Sequence, residues 1–482
     1  MGTILLGGLL LRLWQYLHNK SLWLDEAMLA HNIIERSPIE LLTPLADDQA
    51  APALFLLLVD ATTALFGTGE LALRLVPLLS SLLGLGLFLR VAQLSLERRC
   101  VPVAVFLCAF SGVLVYYAQE LKQYSLDAAV AIALTYLALR VLRADTPRRI
   151  DLIYLGSFGT LAVFLSHPAI FVLAGIASTL VVFKLRRQVN IPLLHLGLVV
   201  VLWCVSFGAN YLLFLQSFSG NEELLTYWNA GFLPLPISAD AVKAWHLAGG
   251  RFLSFSGFPT PWHVFVVALC GVAVAVGLRT RSAPTLMMAM SLCFVLCASV
   301  VGKYPFLERL TLFAVPFVIL LAVEGLQIVS SGRAALVYWV LALCLLAPTL
   351  TSLEANILHP IRREEVRPLL ARLDAARRPS DRVYVYYGAR RAVEYYRRDD
   401  TSDSDVWHYG RASRDDRSIY VDDINAMKKW PRVWFLFAHF HEDEEHFFLS
   451  RIDGVLLEKH EEHGARLYLY QFEQRPRTLV SR

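Results

Sequence analysis

Charge is what this sequence has least of. Lys, Arg, Asp and Glu make up 18% of its 482 residues, where soluble globular chains carry about 25%. Hydrophobic residues reach 56%, more than water-exposed domains can hide. The shortage is local. Residues 1–350 hold 22 Lys/Arg and 18 Asp/Glu, whereas residues 351–482 hold 23 of each. The first stretch is too apolar for water and the second is ordinary in it. Net charge is also small, at +4, which argues against nucleic acid as a partner. The seven cysteines (Cys100, Cys108, Cys204, Cys270, Cys293, Cys297 and Cys344) all fall in apolar stretches and the polar tail has none. That pattern excludes a disulfide framework or a thiolate metal site. Cys293 and Cys297 share a helix face and read as a packing pair. The N-terminus lacks the basic region and cleavage site of a signal peptide. Its first apolar run, 3–17, is short for a span and carries Arg12, so the natural start is expected slightly upstream.

What is present in quantity is long apolar runs. A helix crosses a bilayer with about 20 such residues. The runs predict spans at 3–17, 71–90, 101–117, 125–142, 150–166, 168–183, 192–215, 261–278, 284–301, 310–329 and 334–350. A twelfth stretch, 52–66, is short and contains Asp60. Lys and Arg collect in short cytoplasmic loops. If 52–66 does not cross, 13 basic residues fall in short connections on one side and 7 in much longer loops on the other. If it crossed, Arg90, Arg98 and Arg99 would land on the wrong side. The sequence therefore predicts about eleven spans, a cytoplasmic N-terminus and a multi-pass cell-membrane protein. Residues 18–70 and 216–260 become outer loops, and the C-terminal part is extracytoplasmic. The predicted fold class is an all-α polytopic membrane domain, 1–350, followed by a soluble α/β domain, 351–482. In that tail, 382–387, 433–438 and 465–472 read as strands, and 362–378 and 442–451 as amphipathic helices.

Four polar clusters fall on the outer face. The first is Ser21-Leu22-Trp23-Leu24-Asp25-Glu26-Ala27. Adjacent carboxylates at a membrane surface are costly unless paired, hydrated or used. Asp25 reads either as a general base or as the N-cap of a helix beginning at Glu26. The second is Gln119-Glu120-Leu121-Lys122-Gln123-Tyr124, in which helical spacing would set Glu120 and Tyr124 on one side. Lys122 could meet a phosphate as a point charge, or the cluster could be an interfacial anchor. The third is Ser166-His167-Pro168. The fourth is Lys303-Tyr304-Pro305-Phe306-Leu307-Glu308-Arg309, a cradle for an anionic headgroup or two snorkelling helix ends. Acids beside phosphate-binding cations suit group transfer from a phosphate leaving group. The alternative is a non-catalytic transporter or lipid-carrier-binding protein with an extracytoplasmic sensing domain. Transporters keep charges near the bilayer midplane on broken helices, where this chain has few.

At these residues the sequence resembles polytopic glycosyltransferases of the GT-C fold, in the family 39-like group of protein mannosyltransferases and aminoarabinose transferases. The resemblance rests on Leu22-Trp23-Leu24-Asp25-Glu26-Ala27, Asp47-Asp48-Gln49-Ala50-Ala51-Pro52, Phe66-Gly67 with Glu70-Leu71-Ala72-Leu73-Arg74, Gln119-Glu120-Leu121-Lys122-Gln123-Tyr124, Ser166-His167 and Tyr304-Pro305-Phe306-Leu307-Glu308-Arg309. It implies transfer of one sugar, with inversion, from a polyprenyl-phosphate donor to a protein, lipid or glycan acceptor at the non-cytoplasmic face. On that resemblance Asp25 is the base, Glu26 supports it and Glu120 is a second acid. Lys122 contacts the donor phosphate, where relatives often place Arg. Tyr124, His167, Lys303, Tyr304 and Arg309 belong to the substrate pocket. Many relatives carry Pro-Pro where this chain has Ala51-Pro52. Metal use varies among them, so a divalent cation bound at Glu120 stays open.

Overall fold

The computed structural model describes residues 1–144, 147–216, 226–398, 404–412 and 416–473. Part of the predicted outer loop, 217–225, lies outside them. The chain forms two compact units, and their boundaries interleave. The first joins Met1–His18 to Arg36–Pro360, and the second joins Asn19–Glu35 to Ile361–Arg482. The short segment carrying Asp25 thus belongs with the C-terminal residues, where sequence reading drew one boundary near 350.

Helices occupy every predicted span of the first unit. Among the described residues, seven are long and apolar enough to cross a membrane by length and composition. Gly2–Leu17, Arg149–Leu165 and Ala169–Leu185 are slightly shorter. Ala53–Phe66 has 14 residues, about 21 Å of helix against about 30 Å of hydrocarbon, so it is too short to cross. Tyr124–Leu142 and Glu308–Ser330 are enclosed by neighbours over 72% and 83% of their apolar windows, whereas Leu193–Leu215 is enclosed over only 17%. Leu83, Leu194, Val264 and Leu336 point outward uncovered. In water these would form an aggregating patch. Against lipid they are satisfied, and only helices with internally paired backbones survive there. The chain is a multi-pass membrane protein.

One predicted span is broken. Residues 101–117 form Val101–Phe110 and Gly112–Tyr117, separated at Ser111. The break leaves carbonyls near the end of Val101–Phe110 without N–H partners, as any helix end does. Arg12 fills the gap: its guanidinium donates to Ala109 O at 2.6 Å, Cys108 O at 3.1 Å, Gly8 O at 3.0 Å and Ser81 Oγ at 2.8 Å. Close approach is possible because residue 8 is Gly, whose Cβ would lie 2.7 Å from that of Ala109. One turn along the same helix, Gln15 accepts from Gln119 Nε2 at 2.9 Å. Arg12 and Gln15 of the first span thus hold the segment that leads into Glu120 and Lys122.

The second unit contains a five-stranded mixed sheet of order β2-β1-β3-β5-β4. Its strands are β1 Arg382–Val385, β2 Trp407–Tyr409, β3 Arg432–Ala438, β4 Val455–Glu462 and β5 Ala465–Gln471. β1 runs parallel to β2 and β3, and β5 runs antiparallel to β3 and β4. Tyr384, Tyr386, Tyr420, Phe435, Phe437 and Phe448 fill the core beside it. The three strands expected from sequence are β1, β3 and β5. β4 was missed because it is a half-exposed edge strand of sequence VLLEKHEE, and charges on an edge strand are a normal defence against pairing. β2 has only three residues.

Candidate functional site

In the second unit, Asp25 and Glu26 occupy the first turn of helix Leu24–Glu35. Ala27 N–H donates to Trp23 O at 2.9 Å, which makes Trp23 the capping position and places Asp25 inside the helix. The cap reading of Asp25 is therefore corrected. The first N–H is satisfied from far along the chain: Leu24 N–H donates to Glu364 Oε2 at 2.9 Å. Just upstream, Leu22 N–H donates to the Tyr396 hydroxyl at 2.8 Å and Ser21 Oγ–H to Glu365 Oε2 at 2.9 Å. Arg367 reaches Asn19 O at 2.6 Å, and Arg363 lies over the Trp23 ring at 4.1 Å. Glu26 is fully buried and Asp25 half-buried.

In the first unit, residues 118–123 are turn and bend between helices. The helical spacing expected for Glu120 and Tyr124 therefore does not hold. Glu120, Lys122 and Tyr124 are nonetheless all buried. The turn is tight, with Lys122 N–H donating to Glu120 O at 2.7 Å. The Lys122 ammonium donates to Gln49 Oε1 at 2.6 Å, so this segment and the Asp47-Asp48-Gln49 motif meet. Tyr124 opens helix Tyr124–Leu142 and stacks edge-on with Tyr117 at 5.2 Å.

His167 and Tyr304 lie close to the start of that helix. Tyr304 donates its hydroxyl to Leu310 O at 2.9 Å and packs on Phe171 at 5.0 Å. Burial pushes its phenol well above the usual range, and nearby Asp127 and Tyr124 push in the same direction. Burial also holds the His167 imidazole down at about 4, so it is neutral at pH 7. Among the described residues, neither ring nitrogen of His167 nor Gln123 Oε1 has a hydrogen-bond partner, although buried polar atoms are normally paired, and Ser166 faces the Asp127 carboxyl. Lys303 is exposed and does not join them. Arg309 lies over the Trp228 ring at 5.3 Å.

Asp127 was not anticipated. Its signal was available, since an acid in the first turn of a span is expensive in a membrane. Two cavities were also invisible in the sequence. One, of about 570 Å³, runs between helices Ala239–Phe255, Trp262–Thr280 and Ala283–Val300 and is lined by Trp245, Phe252, Val267, Leu292, Leu296 and Phe306. Its lining is almost wholly apolar, which fits a hydrocarbon chain. The other, of about 530 Å³, has His246, Arg251, His263 and Glu308 on its walls. Among the described residues no three His, Cys, Asp or Glu side chains converge as a ligand set.

The site thus sits on a helical membrane unit with an interrupted third span and polar turns, and on a mixed α/β unit. The comparisons sharpen this. Residues 50–208 match the family described as Dolichyl-phosphate-mannose-protein mannosyltransferase. The fold is similar to that of ArnT from Cupriavidus metallidurans in the apo state, with a TM-score of 0.56 at 14% identity over 97% of both chains. It is also similar to ArnT bound to undecaprenyl phosphate, with a TM-score of 0.55 over 97% and 98% of the two chains. The Archaeoglobus fulgidus oligosaccharyltransferase, solved with Zn and sulfate, has a TM-score of 0.52 at 14% identity over 81% of this chain and 61% of its own. Comparison with curated protein sequences gives no match. The chain is a GT-C-fold protein resembling the protein mannosyltransferase and aminoarabinose transferase group.

Proposed function

We propose that this protein is a membrane glycosyltransferase that moves one sugar from a polyprenyl-phosphate carrier to an acceptor hydroxyl. The observation that carries the reading is the acid pair. Asp25 and Glu26 open a helix whose first N–H is capped by Glu364, so helix capping does not account for Asp25. The match to a mannosyltransferase family over 50–208 and the likeness to an ArnT holding undecaprenyl phosphate support the substrate class. The apolar cavity beside Trp245 and Phe252 supports a hydrocarbon carrier.

In this reading Asp25 takes the proton of the acceptor hydroxyl as that oxygen attacks the anomeric carbon. The bond from that carbon to the phosphate oxygen breaks, and its electron pair leaves on the polyprenyl phosphate. One displacement inverts the anomeric centre. Lys122 stabilises the departing charge, Glu26 accompanies Asp25 on its helix, Glu120 is a second acid in the membrane unit, and Tyr124, His167, Tyr304 and Arg309 hold the sugar. Lys303, being exposed, meets the headgroup at the rim. The distribution of Lys and Arg supports a cytoplasmic N-terminus and an extracytoplasmic C-terminal unit, 361–482.

The test is a panel of polyprenyl-phosphate sugars offered to the protein in proteoliposomes, following release of the carrier phosphate. Asp25→Asn should insert normally and lose about 100-fold or more in rate, the lower end of what a general base contributes. Full activity in that variant refutes the base. Accumulation of solute in sealed vesicles, without covalent transfer from any donor, would favour the transporter.

A further inference from the structure

The residues that hold the Asp25 helix lie some 340 positions away, in a segment with two buried acids of no evident purpose. Glu364 and Glu365 are 7% and 5% exposed. Buried carboxylates are costly unless hydrogen-bonded to charged or N–H partners. Here each has found main-chain donors on one short stretch, 21–24. Glu365 accepts from Ser21 N–H at 3.3 Å and from its hydroxyl at 2.9 Å. Glu364 uses both oxygens: Oε2 accepts from Leu24 N–H at 2.9 Å, and Oε1 is 2.8 Å from His439 Nδ1.

The segment is itself fixed from behind. Glu365 N–H donates to His463 O at 2.8 Å, in the turn between β4 and β5. The next residue is Gly464, with φ at +66° and no room for a side chain, because a Cβ would lie 1.7 Å from Arg363 O. His439 follows the last residue of β3 and has φ at +51°. A non-glycine residue in that region is strained, and such strain persists where surroundings over-determine it. The sheet therefore holds Glu364 from two sides, through the β4–β5 turn and the end of β3.

We infer that Glu364 is a positioning residue for Asp25: it caps helix Leu24–Glu35 and ties the first turn, where the proposed base sits, to the C-terminal sheet. This rests on the transferase reading above. It gives the C-terminal unit a part in the chemistry without requiring it to touch the substrate. Displacement of a reacting group by about 1 Å costs about 100-fold in rate, so a loosened first turn is read in turnover and not in donor binding.

The experiment uses the full chain in proteoliposomes with Glu364→Ala, Glu364→Gln and Asp25→Asn, and two readouts. Hydrogen exchange should accelerate in peptides covering 22–30 of Glu364→Ala while β3 and β5 keep wild-type protection, which also controls for folding. Turnover of Glu364→Ala should fall by about 10- to 100-fold with the donor KM within about twofold. Glu364→Gln, which keeps an oxygen for Leu24 N–H, should recover most of both. Unchanged exchange at 22–30 in Glu364→Ala overturns the inference. So does accelerated exchange with unchanged turnover, or a Gln variant as impaired as the Ala one. If wild type transfers no sugar, or Asp25→Asn is fully active, the transferase reading fails on its own, and the exchange result still decides whether Glu364 holds the helix.

Discussion

Replacing Arg12 by Met removes a guanidinium from the first span while keeping most of the side-chain volume. Arg12 is 1% exposed and donates to three backbone carbonyls and one hydroxyl. Gly8 O is already in a helix ladder and loses little. The other carbonyls, Cys108 O and Ala109 O, lie just before the break at Ser111. Each buried acceptor left unmatched costs about 1–3 kcal/mol. Against this, Met avoids desolvating a cation, which makes many buried charges poor contributors to stability. The break tips the balance, because the orphaned carbonyls cannot turn to water or extend the ladder. The expected net loss is about 2–4 kcal/mol, compared with about 1 kcal/mol for Ser81→Ala, which deletes one hydroxyl bond. Thermal unfolding of the purified protein in one detergent, followed by loss of the monodisperse peak, gives the ranking wild type > Ser81→Ala > Arg12→Met. Arg12→Lys should fall near Met, since one ammonium cannot reproduce a planar fork. An Arg12→Met protein as stable as Ser81→Ala would refute the claim that this guanidinium seals the break.

Two further outcomes follow from buried ionisable groups. Asp381 is fully buried and takes Arg432 Nε at 2.9 Å, Trp434 Nε1 at 3.1 Å and Arg378 N–H at 3.1 Å. Asp381→Ala strands Arg432 and should cost about 3–5 kcal/mol; near-wild-type exchange protection in β1 and β3 would count against it. His167 is held at about 4 in the folded chain, against about 6.5 unfolded. Because its folded pKa is lowered, the unfolded state binds more protons between those values, so stability rises with pH across that window. Taking the protein from pH 7 to pH 5 should cost up to about 2 kcal/mol through this one group. His167→Gln should flatten that part of the stability profile, and an unchanged slope would show that the imidazole is not held neutral.

Much of the fold was written in local composition. Apolar runs long enough to span gave the helices, since bilayer thickness and helical rise fix their length. Strands β1, β3 and β5 were legible because their residues are β-branched or aromatic and buried. The break at Ser111 was not, because Ser111-Gly112 contains no proline and the stretch stays apolar. β4 was hidden by charges that suit an exposed edge. Among candidate residues, Glu120, Lys122 and Tyr124 are all buried, but the helical spacing expected for Glu120 and Tyr124 fails, because residues 118–123 form a turn held by Gln15 and Gln49. Asp127 was missed although its cost in a membrane advertised it.

Alone, the sequence determined which part of the chain enters the bilayer and which short polar runs interrupt it, because transfer of residues out of water depends on composition over about 20 positions. Tertiary structure decided what those polar runs are attached to. Asp25 stands in sequence beside the first membrane helix, yet it folds with residues 361–482, its helix capped by Glu364 and steadied by Glu365 and Tyr396. No local pattern encodes such a cap, since a hydrogen bond between residues 340 apart depends on where the whole chain brings two buried groups and on neither group's neighbours in sequence.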